Sequence, residues 1–289
     1  MWVLLALFSA MFSGTAWILA KAAGENDPRV SVALRSGALL VCSIVFIGFF
    51  GSFPEFTTVD KYAIWYALGA GATSALGLVC YQSLIGCGLG WGSSMEKLSI
   101  LLISLIEWIW LGVRLSFLGV LALGLIGLGS LRTATSNTTG IDKSIQKSRL
   151  LGVIGMIGFT SASTILAKFA VGGSTPEMAL FIRTGVQLAV LVLWLMVDRR
   201  LLSIRQITWK SRWILISSGV CSAIAWLCYF RALVFGSAGA IHALDKLNVI
   251  VTVFAGWLLF DERYSRRMLS GVMITVIGIL ALAFSYAKP

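Results

Sequence analysis

The chain has 289 residues, of which 58% are hydrophobic and only 12% charged, with a mean hydropathy of +0.92. Soluble domains hold roughly 45–50% apolar and 25% charged residues, so these values exclude a single aqueous core and place the chain in a bilayer. The net charge of +11 does not read as nucleic-acid binding, because the basic residues collect in loops between hydrophobic runs and form no stripe.

Crossing hydrocarbon takes about 20 apolar residues. Ten windows meet that need: 2–22, 30–50, 62–85, 91–111, 115–131, 150–171, 177–197, 213–235, 238–260 and 268–286. The first has no basic leader and no cleavage site, and it reads as a retained spanning helix. The longest polar stretch, 132–149, falls near the middle and reads as a basic linker between a unit at 1–131 and a unit at 150–289. Five cysteines (Cys42, Cys80, Cys87, Cys221, Cys228) lie in or beside apolar runs with no Cys-x-x-Cys pair, and there is one histidine. Neither a metal site nor a disulfide framework is expected, and no cofactor.

The two units repeat each other at a nearly constant offset. Ile18 to Lys21 recurs as Ile165 to Lys168, 147 residues on. Pro28, Arg35, Ser74 and Tyr81 recur at 148 as Pro176, Arg183, Ser222 and Tyr229. Trp108, Arg114 and Ser116 recur at 149 as Trp257, Arg263 and Ser265. Five crossings per unit is odd, so the second unit must run upside down, as an all-α membrane protein of ten transmembrane helices in two inverted five-helix repeats. Pro28 and Pro176 open helices behind Asp27 and Thr175, where the missing N–H is harmless. No spanning window contains proline, so no helix broken at the midplane is expected. The odd-numbered loops hold thirteen Lys and Arg against three in the even loops and tail. That count puts both termini outside the cell.

The centre of interest is a doublet that occurs twice inside apolar runs, Glu96-Lys97 and Asp245-Lys246. A charge at hydrocarbon depth costs about 2.5–3.5 kcal/mol on insertion scales unless it is paired or faces a cavity. Glu96 and Glu107 fall within about 20° on a helical wheel. His242, Asp245, Asn248 and Thr252 make a similar face in the ninth window. Asp245 lies about 10 Å deep, too far for its carboxylate to reach the surface, whereas the longer Lys246 has the stem to snorkel. The candidate substrate-binding residues are Arg35, Tyr81, Glu96, Arg183, Gln187, Trp226, Tyr229 and Asp245, with Lys21, Lys97, Lys168 and Lys246 as gating or ion-pair residues. Inverted symmetry is expected to bring Lys21, Arg35, Glu96 and Lys97 toward one membrane surface, and Lys168, Arg183, Asp245 and Lys246 toward the other. The bland alternative is that these charges only neutralise one another and fix the fold. Glu107 and His242 are candidates for proton coupling. The glycine-rich runs at 69–71 and 86–92 lack the ending of a phosphate loop and read as close packing or turns.

Met95-Glu96-Lys97-Leu98-Ser99, Leu244-Asp245-Lys246-Leu247-Asn248 and the closing Trp257 to Arg263 with Gly271 and Gly278 resemble the EamA-type transporters of the drug/metabolite transporter superfamily. The likeness spans residues 1–286. It implies alternating-access movement of small metabolites, amino acids, sugars or drugs, often outward. The family's acidic residue before the last loop is matched by Glu262, while Val113 stands at the first-half position. The resemblance also implies cytoplasmic termini, opposite to the charge count.

The expectation is a secondary transporter, not an enzyme, that moves a small polar metabolite of the amino acid or organic anion class, with proton coupling open. The partners are that small molecule and the lipid bilayer of a bacterial cell membrane, with no nucleic acid, in a monomer or homodimer. An efflux transporter of lipophilic or quaternary cations is the alternative within transport, and a non-transporting membrane assembly protein the alternative from another class.

Overall fold

The computed structural model describes residues 1–24, 27–50, 59–85, 89–113, 115–135, 143–200 and 203–287. Arg114, Cys87 and residues 136–142 of the expected linker lie outside them. The described residues are helical throughout, with no strand. In chain order the helices are α1 (Trp2–Ala22), α2 (Pro28–Phe50), α3 (Lys61–Ile85), α4 (Leu89–Glu96), α5 (Leu98–Trp110), α6 (Phe117–Ala134) and α7 (Lys143–Gly172). They continue as α8 (Pro176–Val197), α9 (Ser203–Gln206), α10 (Trp209–Phe235), α11 (Ala238–Asp245), α12 (Asn248–Phe260) and α13 (Arg266–Ala287).

Nine stretches among the described residues are long and apolar enough to cross a membrane, and α4 with α5 occupies the place of the remaining expected span. Helix α7 starts at Lys143, so part of the expected linker is helical. Starts follow local chemistry. The hydroxyls of Ser116, Thr208 and Ser237 accept from Gly119 N, Ser211 N and Ala240 N at 3.1, 3.3 and 3.2 Å. Asp27 accepts from Arg29 N at 2.9 Å beside the Pro28 start. Thr175 precedes Pro176 as expected but makes no side-chain cap.

One expectation fails. The fourth and ninth spans are both interrupted, although neither contains proline, and the interruption falls on the charged doublets. Lys97 and Lys246 keep right-handed helical backbone (φ −64° and −75°). The ladder there tightens to three-residue bonds: Lys97 N to Ser94 O at 3.2 Å and Ile100 N to Lys97 O at 3.0 Å. In the second half Leu247 N bonds Leu244 O, and Ile250 N bonds Leu247 O, both at 3.0 Å. The Ser99 hydroxyl donates to Glu96 O at 2.6 Å, compensating the disturbed carbonyl. Such short 3₁₀ turns change helix direction without exposing backbone, and proline is one cause among several.

Loop contacts define two faces. Asp27 meets Arg200, Arg29 meets Asp198, and Lys21 meets Glu262 at the basic face. Asp60 N bonds Gly173 O at 3.2 Å, and Lys168 bonds Gly236 O at 2.7 Å, at the opposite face. Helix α1 therefore ends at the basic face and its repeat α7 at the other, which is the inverted topology. Packing obeys the same exchange. Helix α1 lies on α10 as α7 lies on α3, α2 on α10 as α8 on α3, and α12 on α4 as α5 on α11.

Without a hydrophobic drive between helices in lipid, close approach of small residues supplies the packing. A side chain on Gly219 would meet Arg35 O at 2.5 Å and Ala38 Cβ at 2.6 Å. Its repeat Gly71 stands in the same way against Arg183 O and against Val186 Cβ at 2.8 Å. Large apolar residues such as Phe117, Phe254 and Phe284 face outward, where lipid meets them. At the basic face burial works against ionising Asp27, but the Arg200 and Arg29 contacts prevail and hold its carboxyl below the usual range.

Gly71→Val and Gly219→Val are expected to lose about 1–3 kcal/mol to overpacking, while Gly37→Ala, with open space around it, keeps or slightly raises the melting temperature. Equal melting of all three would contradict the close approach. Asp27→Asn is expected to cost about 1 kcal/mol at neutral pH. Because the folded carboxyl titrates low, wild type keeps that advantage above the unfolded carboxylate range and loses it as pH falls through the folded value. Melting curves of both proteins across that range test the sign.

Candidate functional site

A cavity enclosing about 890 Å³ of atom-free space, counted out to its mouth, lies between the halves. Its wall is made of repeat-related residues. Ser13, Arg35, Ser74, Tyr81 and Glu96 line it from the first unit, and their counterparts Thr160, Arg183, Ser222, Tyr229 and Asp245 from the second. An inward polar surface enclosed by apolar helices needs this arrangement, since every inward group must find a partner within protein or ligand.

Each arginine is set on a tryptophan. Arg35 lies 4.2 Å from the centroid of Trp17 and donates to Ser222 Oγ at 3.2 Å. Arg183, 1% exposed, lies 3.8 Å from Trp226 and donates to Ser74 Oγ at 2.6 Å. Ser74 passes the bond on to Gln187 Oε1 at 2.8 Å, and Gln187 Nε2 donates to Ser36 Oγ at 2.5 Å. This chain holds one edge of the Arg183 guanidinium and leaves Nε and Nη1 without a protein acceptor. In the first unit Leu39 occupies the place of Gln187, so the relay exists once.

The doublets meet at the cavity floor. Lys246 Nζ bonds Glu96 Oε1 at 2.5 Å and lies 3.5 Å from Asp245 Oδ2. Asp245 accepts from Ser9 Oγ at 2.6 Å. Lys97, 0% exposed, lies 3.8 Å from Glu96 Oε2 and donates to Asn248 Oδ1 at 2.7 Å and Ser93 Oγ at 3.3 Å. This corrects the expectation that Glu96 and Lys97 sit toward one surface and Asp245 and Lys246 toward the other. Each doublet comes after about eight residues of helix, or about 12 Å, so inverted copies converge near the middle of a core about 30 Å thick. Lys246 does not snorkel either, because a carboxylate is in reach inside. Burying these ions is costly and is repaid only by such pairing and hydrogen bonds.

His242 lines the cavity, with Nε2 2.9 Å from Ser99 Oγ and Nδ1 3.2 Å from Tyr229 Oη. Glu107, the other proton-coupling candidate, is not among the cavity's lining residues. Its carboxylate accepts from Ala238 N at 2.6 Å and Gly239 N at 2.7 Å, and so caps the start of α11. Lys21 and Lys168 lie at the two faces as expected. Lys21 pairs with Glu262, whose other oxygen takes the Tyr264 hydroxyl at 2.5 Å, and burial together with that bond pushes the Tyr264 phenol up. Lys168 bonds Leu233 O and Gly236 O at the end of α10, at 2.5 and 2.7 Å.

Trp17 and Ser9 were not singled out by sequence. The signal available was the small-residue stripe Ser9, Ser13, Ala16 and Ala20 at helical spacing in α1, which marks the inward face. Among the described residues no His, Cys, Asp and Glu group could hold a metal ion.

Comparison with known proteins adds three findings. The model of the EamA-like transporter family matches residues 147–284. A protein of Sinorhizobium sp described as an uncharacterized transporter in the cobO 3' region is 30% identical over 125 residues, covering 43% of this chain and 89% of that protein. A crystal structure of a protein at 13% identity superposes with a TM-score of 0.77 over 99% of each chain, a likeness of fold.

Glu107→Gln is expected to lower thermal stability by about 1–2 kcal/mol through loss of an anion at the α11 start. It should leave the pH profile of substrate counterflow in proteoliposomes unchanged. A flattened profile would return Glu107 to proton coupling.

Proposed function

The chain belongs to the EamA-like transporter family and is a multi-pass membrane transporter, and on that premise we propose that it carries small polar metabolites of the amino acid or organic anion class by alternating access. The observation that supports this most is Arg183. A buried guanidinium in the cavity lining, with no protein acceptor on Nε or Nη1 and its Nη2 tied back by Ser74 and Gln187, fits a carboxylate or phosphate. The charges support the same sign: Arg35, Arg183, Lys97 and Lys246 stand against Glu96 and Asp245 in and around the cavity.

The cation alternative rests on aromatic faces. Of the candidates Trp226, Tyr81 and Tyr229, Trp226 already carries the Arg183 guanidinium, so a cationic substrate has to displace that arginine before it can stack there. Glu96 is engaged by Lys246 and offers little counter-charge. His242 is the proton-coupling candidate that touches the cavity. We assign the protein to a bacterial cell membrane.

Counterflow in proteoliposomes with anionic, zwitterionic and cationic panels is expected to select carboxylate- or phosphate-bearing compounds. Arg183→Gln is expected to weaken the selected compound about tenfold to a hundredfold, the worth of a charge-assisted hydrogen bond. Exchange of cations alone would refute the reading.

A further inference from the structure

The two lysines of the doublets are chemically equivalent by repeat but differently engaged. Lys246 holds a carboxylate, Glu96 of the other half. Lys97 holds neutral oxygens, Asn248 of the other half and Ser93 of its own span, with Glu96 further off at 3.8 Å. Exchanging the halves maps Glu96 on Asp245, Lys97 on Lys246, Ser93 on His242 and Ser99 on Asn248. The mapped partners of Lys246 are therefore Ser99 and His242. Those two residues are already side by side, 2.9 Å apart, across the half interface. The mapped partner of Lys97 is Asp245, which in this structure bonds Ser9 and the neighbouring Lys246.

In a carrier built of inverted repeats, alternating access rocks or gates one repeat against the other, and the pseudo-two-fold axis allows each repeat to take up the contacts its copy makes in the opposite state. We propose that the transporter changes facing by exchanging this pairing: Lys246 leaves Glu96 for Ser99 and His242, while Lys97 leaves Asn248 and Ser93 for Asp245. The proposal deepens the transport reading and rests on it. Its chemistry is balanced. In each state one amine is on a carboxylate and one in a neutral polar cradle, so the same number of buried charges is paired before and after. In the exchanged state Glu96 keeps Lys97 of its own doublet beside it, as Asp245 keeps Lys246 in this one, but the repeat of Ser9 is Met156 and gives Glu96 no hydroxyl. The 3₁₀ turns at Lys97 and at Lys246-Leu247 lie at the moving residues themselves, where a small change of helix direction carries each amine from one partner set to the other. The sequence asymmetries, His242 for Ser93 and Asn248 for Ser99, make the two cradles unequal and so bias which facing state is preferred.

The test needs no substrate. A reporter Ala225→Cys, on the cavity wall, is placed in a background whose native cysteines are replaced by alanine. It is reconstituted in oriented proteoliposomes and labelled from either side with a membrane-impermeant maleimide. Two charge-balanced variants are compared with the reporter protein alone. Glu96→Gln with Lys246→Met removes the pair of the present state and leaves Lys97 with Asp245. Asp245→Asn with Lys97→Met does the opposite. The expected result is that the ratio of labelling from the two sides shifts in opposite directions, by tenfold or more between the two variants. Shifts in the same direction, or none, overturn the exchange even if the reporter protein alone is labelled from both sides. A reporter protein labelled from one side only, under all conditions, overturns the transport reading together with the exchange. If a double variant does not fold, Lys246→Gln and Lys97→Gln are measured instead, with the same opposite shifts expected and the same outcomes against.

Discussion

The structure depends on one constraint, that an ion placed at hydrocarbon depth must find its counter-ion or polar partner inside the protein. Glu96 and Lys246 satisfy it together, at 2.5 Å, across the boundary between the halves. That contact ties the first unit to the second at the level of the cavity floor. It explains why the interruptions of both spans fall on the doublets. A side chain that must point at the axis and meet a partner from the opposite direction forces a local change of helix geometry, and a three-residue turn supplies it with the backbone still bonded. Removing one partner takes from the other its nearest counter-charge and leaves Lys246 with Asp245 at 3.5 Å, or Glu96 with Lys97 at 3.8 Å.

The rest of the interior is arranged by duplication. Gly71 admits the backbone at Arg183 as Gly219 admits the backbone at Arg35, and each guanidinium then reaches a serine of the opposite half, Ser74 or Ser222. The repeat thus builds a symmetric frame from small residues, and a few unmatched side chains make the two sides of it different. Gln187 stands opposite Leu39 and holds Arg183 in one orientation. Glu262 stands opposite Val113 and gives Lys21 a carboxylate, whereas Lys168 must use carbonyl oxygens. Glu107 stands opposite Gly256 and caps α11. These differences make the two halves chemically unlike each other.

Fold class was legible because its cause is local and repeated. Long apolar windows can only be helices in lipid, an odd number of them per unit inverts the second copy, and the matched motifs Ile18 to Lys21 and Ile165 to Lys168 expose the copying. The candidate residues Arg35, Arg183, Tyr81, Tyr229, Glu96 and Asp245 were legible for the same reason, as polar groups where none is cheap, and they do share one wall. Trp17 and Ser9 were not, since a tryptophan or serine in an apolar run carries no cost that would flag it. Glu107 was flagged by its place in an apolar run, and composition does not distinguish a carboxylate that faces a cavity from one that accepts two backbone N–H groups at a helix start, as Glu107 does.

By itself the sequence determined the membrane setting, the duplication and the set of buried ionisable groups, because those follow from transfer free energies and periodicity along the chain. Which groups meet was decided only by the tertiary structure. Lys246 has carboxylates at Asp245 and Glu96 and hydroxyls at Ser93 and Ser99 within the same polar region of the sequence pattern. The choice among them depends on how far two inverted helices overlap at the axis, a distance between segments some 150 residues apart that no local pattern encodes.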